Sequence, residues 1–371
     1  MKLSDYVFEF IKNKKIDTVF TVSGGGCMHL IDSLGKSGIN YVCNHHEQAC
    51  AMAAVGYSKV NNQIAVVMPT TGCGGTNTIT GLLDAWQDSN KVVFISGNVN
   101  KKETTYCSDV PLRKFGVQEA NIIKIVTPIT KYAVMIENAN DIAYELEKAY
   151  ELATTGRPGP VWIDIPMDMQ SAILNKEDLI KYEVPVNYTE NYNLSNVVDL
   201  IKNSVRPIIL AGHGVRLSKS QTELKQLIEK LKIPVVLSWS GIDNLPFNHD
   251  YNFGCPGLYG QRCANFVIQN CDLLIVLGSR LSLPQTGYNI NNFAPEAKIV
   301  MVNNDEGELK KHSRYDITIN CDCKDFINNE KFLVFLGDNI IQIDISDYVK
   351  KFQDSDDAAS IFLCKVDNPS R

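Results

Sequence analysis

The chain has 371 residues, of which 44% are hydrophobic and 21% charged, enough apolar material for two or three cores and too much for a disordered or collagen-like chain. Thirty-six Lys and Arg stand against 42 Asp and Glu, a formal charge of -6 with no dense basic run, so the electrostatic footprint of a nucleic-acid binder is excluded. Met1-Lys2-Leu3-Ser4-Asp5 meets charge too early for a signal peptide, and no apolar run approaches the roughly 20 residues that span a bilayer, so a soluble, cytoplasmic protein acting on a small molecule is expected.

Short β-branched apolar runs alternate with helical patterns from end to end, the mark of βα units on mostly parallel sheets; the fold class expected is α/β with two doubly wound domains. A first helix is expected from the capping-type Ser4 through Val7, Phe8 and Ile11 to the lysines Lys12, Lys14 and Lys15. The strand Thr18–Val22 stops at Gly24-Gly25-Gly26; a helix over Met28–Leu34, the strand Ile39–Cys43, His45-His46-Glu47 and a small-residue helix over Gln48–Lys59 follow. Ile64–Met68 reads as a fully buried strand, then Pro69 and the loop Thr70-Thr71-Gly72-Cys73-Gly74-Gly75, and a helix to Asp88. Val92–Ser96, the helix Ala139–Ala153 and Val161–Ile165 complete a first domain, 1–174. Residues 175–193 turn polar and read as a linker. The second domain, 194–328, carries strands at Pro207–Ala211, Val235–Ser238, Leu273–Leu277 and Lys298–Val302, with a helix over Gln221–Leu231. An irregular tail, 329–371, ends the chain.

Three glycine-rich turns follow strands, where free N–H groups suit an anion, yet none fits a nucleotide fingerprint. Gly24 and Gly26 lead to His29, Gly212 and Gly214 lead to Leu217, and Thr70 to Asn77 lacks the Lys-Ser/Thr of a P-loop. The eleven cysteines are scattered without a C-x-x-C pair, which favours reduced, buried thiols over zinc, and no metal ligands are assigned. Glu47 is more informative. On its own, a carboxylate in a first helical turn is a macrodipole partner worth a few tenths of a kcal/mol. Here it opens a helix of Ala49, Cys50, Ala51, Ala53, Ala54 and Gly56, small enough to pack closely on another backbone, across a subunit contact for example, and so to shelter the acid.

These residues occur in order with Gly56-Tyr57-Ser58, Thr76-Asn77, Asp84-Ala85, Asp88-Ser89, Pro128-Ile129-Thr130-Lys131, Gly156-Arg157-Pro158-Gly159-Pro160-Val161 and Asp164-Ile165-Pro166. The set resembles the pyrimidine-binding domain of thiamine diphosphate enzymes of the acetolactate synthase type. Residues 195–325, with Gly257-Leu258-Tyr259-Gly260 and Gly278-Ser279-Arg280-Leu281, resemble that family's middle domain.

The resemblance implies a 2-keto acid decarboxylase or carboligase. Glu47 would hydrogen-bond N1' of the cofactor's aminopyrimidine and favour the imino tautomer that takes the thiazolium C2 proton. Ser23, Gly24, Gly25, Thr70, Gly72, Cys73, Gly74 and Asn77 would line the pyrimidine pocket, and Gln118 matches a glutamine that reaches the active site. Cys73 and Ser23 stand where the family usually has proline. His45 and His46 are candidates to orient substrate, though packed or solvent-facing histidines fit as well; Trp86 and Trp162 read as core. The middle domain binds FAD in some members, which Gly212-His213-Gly214 and Gly278-Ser279-Arg280 allow, as they do a purely structural role. A homo-oligomer through the first domain is implied.

The family's diphosphate and Mg2+ are held by Gly-Asp-Gly with an asparagine about 25 to 30 residues on. No Gly-Asp-Gly occurs in the sequence, and Gly337-Asp338-Asn339 is the nearest approach. The expectation is a truncated or split enzyme that takes its diphosphate-binding domain from a separate chain. The alternatives are a non-catalytic homologue with a regulatory or oligomerising role and a nucleotide-binding protein built on the middle domain.

Overall fold

The computed structural model describes residues 1–185 and 194–328. The first 166 residues supply β1 (Thr18–Thr21), β2 (Asn40–Cys43), β3 (Ala65–Met68), β4 (Val92–Asn98), β5 (Tyr132–Met135) and β6 (Val161–Pro166), which form one sheet in the order β2-β1-β3-β4-β6-β5. All its pairs are parallel. The second sheet has the order β11-β10-β9-β7-β8 and is likewise parallel, with β7 at Pro207–Ala211, β8 at Val235–Leu237, β9 at Leu273–Leu277, β10 at Lys298–Asn303 and β11 at Ile317–Asn320. The α/β class follows directly: strands such as β3 and β9 are buried along their whole length because helices cover both faces of each sheet.

Each sheet therefore carries two cores. On one face of the first sheet Leu3, Val7, Phe8 and Ile11 pack with Val66, Ile95 and Ile163. On the other, Ala51, Ala54 and Leu82 meet Phe94 and Trp162, whose rings stack 5.0 Å apart. A fully buried Leu or Phe is worth about 1.5 to 3 kcal/mol. The small-residue helix, Glu47–Asn61, packs within the chain: a Cβ placed on Gly81 would lie 2.5 Å from Ala51 Cβ, so the helix Ile79–Gln87 touches it almost backbone to backbone.

Several expectations are corrected. Ser4 is not a cap. The first helix begins at Leu3, because the Leu3 N–H donates to Ala172 O, and Ser4 is buried inside it with its hydroxyl on Gln170 O. Trp86 is 38% exposed rather than core, whereas Trp162 is fully buried. The strand β4 runs two residues past Ser96, and β5 and β11 were not expected at all. Among the described cysteines, all free, Cys27, Cys50, Cys255, Cys271, Cys321 and Cys323 are buried while Cys43, Cys73, Cys107 and Cys263 are exposed. Linker residues 186–193 and the tail, with Gly337-Asp338-Asn339, lie outside the described residues. Among the described residues no helix is long and apolar enough to cross a membrane.

In an open parallel sheet, ligands bind at the carboxyl ends of strands where the winding reverses. The first sheet reverses between β1 and β3, the second between β7 and β9.

Candidate functional site

The β1/β3 reversal brings together the turn after β1, the loop after β3 and the start of the helix Glu47–Asn61. Cys43 pairs with Thr21 at the end of β2, so the chain turns from there straight into His46, whose Nδ1 accepts from the Gln48 N–H at 3.1 Å. That cap is the role the structure gives His46. Glu47 is thereby set at the helix entrance, half-buried. Asn77 Nδ2 donates to Glu47 Oε2 at 2.9 Å, and Oε1 makes no hydrogen bond among the described residues. Oε1 faces Gly74, where a Cβ would stand 3.5 Å away. The sheltered setting expected of Glu47 is thus only half supplied by the described residues.

Thr70 joins the two turns. Its Oγ1 accepts from the Gly26 N–H at 3.1 Å, and a Cβ on Gly24 would lie 2.5 Å from Thr70 Cβ. Gly72 has a φ of +63°, the region that disfavours side chains, and a Cβ there would overlap the Gln118 carbonyl oxygen. This contact seats the segment after β4 against the loop. Gln118 itself has a φ of +58° and an exposed side chain. Glu119, buried, accepts from the N–H groups of Thr105 and Phe115 and so ties that segment to itself.

Of the residues singled out from sequence, Glu47, Gly24, Thr70, Gly72, Gly74, Asn77 and Gln118 are brought into one cluster. Ser23, Gly25 and Cys73 sit on its rim, exposed. Cys73 opens the single helical turn Cys73–Thr76 and its carbonyl accepts from the Asn77 N–H, so proline's absence there does not break the loop. Sequence reasoning missed Asn98 and gave Gly26 and Asp164 no role at the site. The available signal was polar residues, Ser96, Asn98 and Asp164, interrupting two buried strands.

The second reversal is built differently. Gly212 after β7 and Gly278 after β9 lie against each other, with a Cβ on Gly212 only 2.4 Å from Gly278 O, so these glycines do have a structural role. In front of them a cavity of about 410 Å³ opens between the two sheets, lined by Arg157, His213, Trp239, Tyr259, Arg280 and Asp322 among others. His213 Nδ1 contacts Ser240 O, its buried Nε2 has no partner among the described residues, and burial lowers its pKa. Burial raises the Asp322 carboxyl. The walls are tied across the sheets: Arg157 to Asp305 at 2.9 Å and Glu308 at 3.3 Å, Arg280 to Gln87 O at 2.8 Å, and Arg216 to the carbonyls of Lys59 and Val60 at 2.8 Å each.

Residues 1–124 match the family described as thiamine pyrophosphate enzyme, N-terminal TPP binding domain, and residues 194–329 match thiamine pyrophosphate enzyme, central domain. The chain is 33% identical over 339 residues to a probable acetolactate synthase large subunit of Methanocaldococcus jannaschii, covering 89% of this chain and 55% of that protein. It is 35% identical over 317 residues to the acetolactate synthase large subunit of Corynebacterium glutamicum (84% and 49%), and 31% over 353 residues to that of Lactococcus lactis (94% and 59%). The chain spans about half the length of the curated relatives it matches.

Proposed function

The chain belongs to the thiamine pyrophosphate enzyme family, and from that premise we propose that it forms the aminopyrimidine-binding half of a thiamine diphosphate-dependent 2-keto acid decarboxylase or carboligase of the acetolactate synthase kind. The observation that carries the reading is Glu47: one carboxylate oxygen held by Asn77, the other without a hydrogen-bond partner among the described residues and facing Gly74, at a strand-order reversal. A half-exposed acid over a glycine floor fits an aminopyrimidine ring laid on the loop. When bound, thiamine diphosphate supplies the electron sink for cleaving the bond next to a 2-keto group.

The chain's own residues would bind and orient. Glu47 Oε1 would accept from or share a proton with ring nitrogen N1', and Asn77 would keep the carboxylate from rotating away. Gly24 and Gly74 let the turns close on Thr70 and Gly72 lets the Gln118 segment close on the loop, Thr70 holds the two turns together, and Ser23, Gly25 and Cys73 would rim the opening. Gln118 would reach towards the keto acid from a segment seated on Gly72. In this reading residues 1–174 and 194–328 act as two domains joined by 175–193. By the resemblance, Mg2+ and the diphosphate would be held by a further domain, in the same assembly or on a separate chain; among the described residues no group of three or more His, Cys, Asp or Glu side chains is disposed to hold a metal ion.

The second cavity would take a nucleotide cofactor of the FAD type, with the unpartnered His213 Nε2 and Asp322 as its polar contacts. A homo-oligomer would form through the first domain, where β2 is exposed along its length with Tyr41 and Val42 and the neighbouring helix exposes Met52. Calorimetric titration of the full chain with thiamine diphosphate in Mg2+ tests the enzyme reading. Saturable binding is expected; none at millimolar cofactor would favour the non-catalytic homologue.

A further inference from the structure

Asp164 is fully enclosed in the first sheet, yet no cation pairs with it among the described residues. Its neighbours explain its presence. On β4 and β6, paired in parallel, Phe94 faces Trp162 and Ser96 faces Asp164 on the same side of the sheet, with Asn98 next towards the carboxyl end. The apolar pair ends where the polar residues begin. Trp162 Nε1 donates to Ser96 Oγ at 2.8 Å, and Ser96 Oγ lies 2.5 Å from Asp164 Oδ1. Asn98 Nδ2 donates to Asp164 Oδ2 at 2.7 Å, and Asn98 Oδ1 accepts from the Val99 N–H at 2.9 Å and from the Thr71 hydroxyl at 3.0 Å.

All of these side chains are at least nine-tenths buried. A buried polar group without a partner is destabilising, so a chain of four polar side chains inside an apolar layer is retained at a cost unless each is satisfied. The chain has a direction. The Asp164 carboxyl fixes which way the Asn98 amide faces, since its NH2 must point at Oδ2 and its oxygen must then point at Val99 and Thr71. Oδ2 remains an acceptor whether Oδ1 carries a proton or not. Thr71 in turn fixes the loop: Thr70 is held from one side by Gly26, Thr71 from the other by Asn98, and Gly72, Gly74 and Asn77 follow.

We propose that Asp164 is a positioning residue: through Asn98 and Thr71 it locks the loop 70–77 in the conformation that presents Gly74 and Asn77 to Glu47. The proposal rests on the reading of this loop as the aminopyrimidine site. Replacing Asp164 with Leu removes the acceptor that holds the Asn98 amide, leaving its buried NH2 unpaired and its hold on Thr71 loose, whereas Asn at this position can keep an oxygen facing Asn98 and turn its NH2 to Ser96.

Hydrogen exchange on the full chain without ligand reads the lock at the amides of Gly74, Thr76 and Asn77, which donate to Thr71 O, Gly72 O and Cys73 O. In Asp164→Leu, exchange at these amides rises at least tenfold while the amides of the second sheet keep their protection, and in Asp164→Asn it stays within a few-fold of the parent. The swap Asn98→Asp with Asp164→Asn keeps an NH2-to-carboxylate contact and an acceptor for Thr71, and likewise exchanges close to the parent. Thr71→Val raises it without touching the carboxyl. Unchanged exchange in a folded Asp164→Leu, or in Thr71→Val should Asp164→Leu fail to fold, overturns the proposal, as does exchange in Asp164→Asn as fast as in Asp164→Leu. Adding thiamine diphosphate and Mg2+ to the parent separates the two levels: no added protection at 70–77 counts against the cofactor reading, while the variant series still decides the lock.

Discussion

The two sheets are wound alike and reverse at equivalent places, yet their reversals are used in opposite ways. At β1/β3 the turns are tied together by side chains, Thr70 to Gly26 and Thr71 to Asn98, and one oxygen of a carboxylate is left open beside them among the described residues. At β7/β9 the turns collapse on each other, glycine to glycine, and the space opens in front of them, between the sheets. In the reading proposed above, the topology places the ligand and the side chains after the strands select its kind: a ring held edge-on by an acid in the first case, an extended group filling a cavity in the second.

The largest effects separate the two sites at their glycines. Gly72→Ala places a Cβ on the Gln118 carbonyl at a positive φ, and a loss of about 3 kcal/mol or more is expected, with the segment around Gln118 displaced. Gly278→Ala, also at positive φ and 2.6 Å from Gly214 Cα, is expected to destabilise by a similar amount but to leave thiamine diphosphate binding intact. Thermal melting with calorimetry on both variants checks this; equal loss of binding in the two would erase the contrast.

A second difference is in pH response. Burial, with the charge of Glu119 adding to it, raises Asp164 to about 7 against the opposing hydrogen bonds of Ser96 and Asn98. In the unfolded chain an aspartate titrates near 4. Between those values the native protein keeps a proton that the unfolded chain has lost, so this group's contribution is full below about pH 4 and is lost as pH rises to about 7, at up to about 1.4 kcal/mol per pH unit. Denaturant unfolding across that range is expected to show the slope, and Asp164→Asn to flatten it.

Smaller effects sharpen the picture. Asn77→Ala frees the Glu47 carboxylate at a cost of about 1 kcal/mol, a roughly fivefold loss of cofactor affinity by calorimetry. Arg157→Ala breaks a half-exposed bridge between the sheets and is expected to change stability by under about 1 kcal/mol, while loosening the walls of the second cavity.

The alternation of apolar strands and helices made the class and nine of the eleven strands among the described residues readable, eight because a buried parallel strand announces itself as a short β-branched run and the exposed edge strand β2 from the run Ile39–Cys43. The other two, β5 and β11, are four-residue edge strands with partly exposed side chains, and nothing local distinguishes them from loop. Ser4 shows the same limit from the other side: its propensity for a cap was overridden by a tertiary bond from Leu3 to Ala172. At the site, Glu47 and the loop residues were legible because their types and order carry chemistry. The Asp164, Asn98 and Thr71 chain was not, since it depends on register between strands 68 residues apart in sequence.

Proton exchange at C2 of thiamine diphosphate, followed by NMR in D2O with the full chain and Mg2+, tests the central claim most directly. The parent is expected to accelerate exchange over free cofactor, and Glu47→Gln to lower that rate by about a hundredfold or more. A Glu47→Gln protein that exchanges C2 as fast as the parent would contradict the role of Glu47, and with it the assignment of the β1/β3 reversal as the cofactor site.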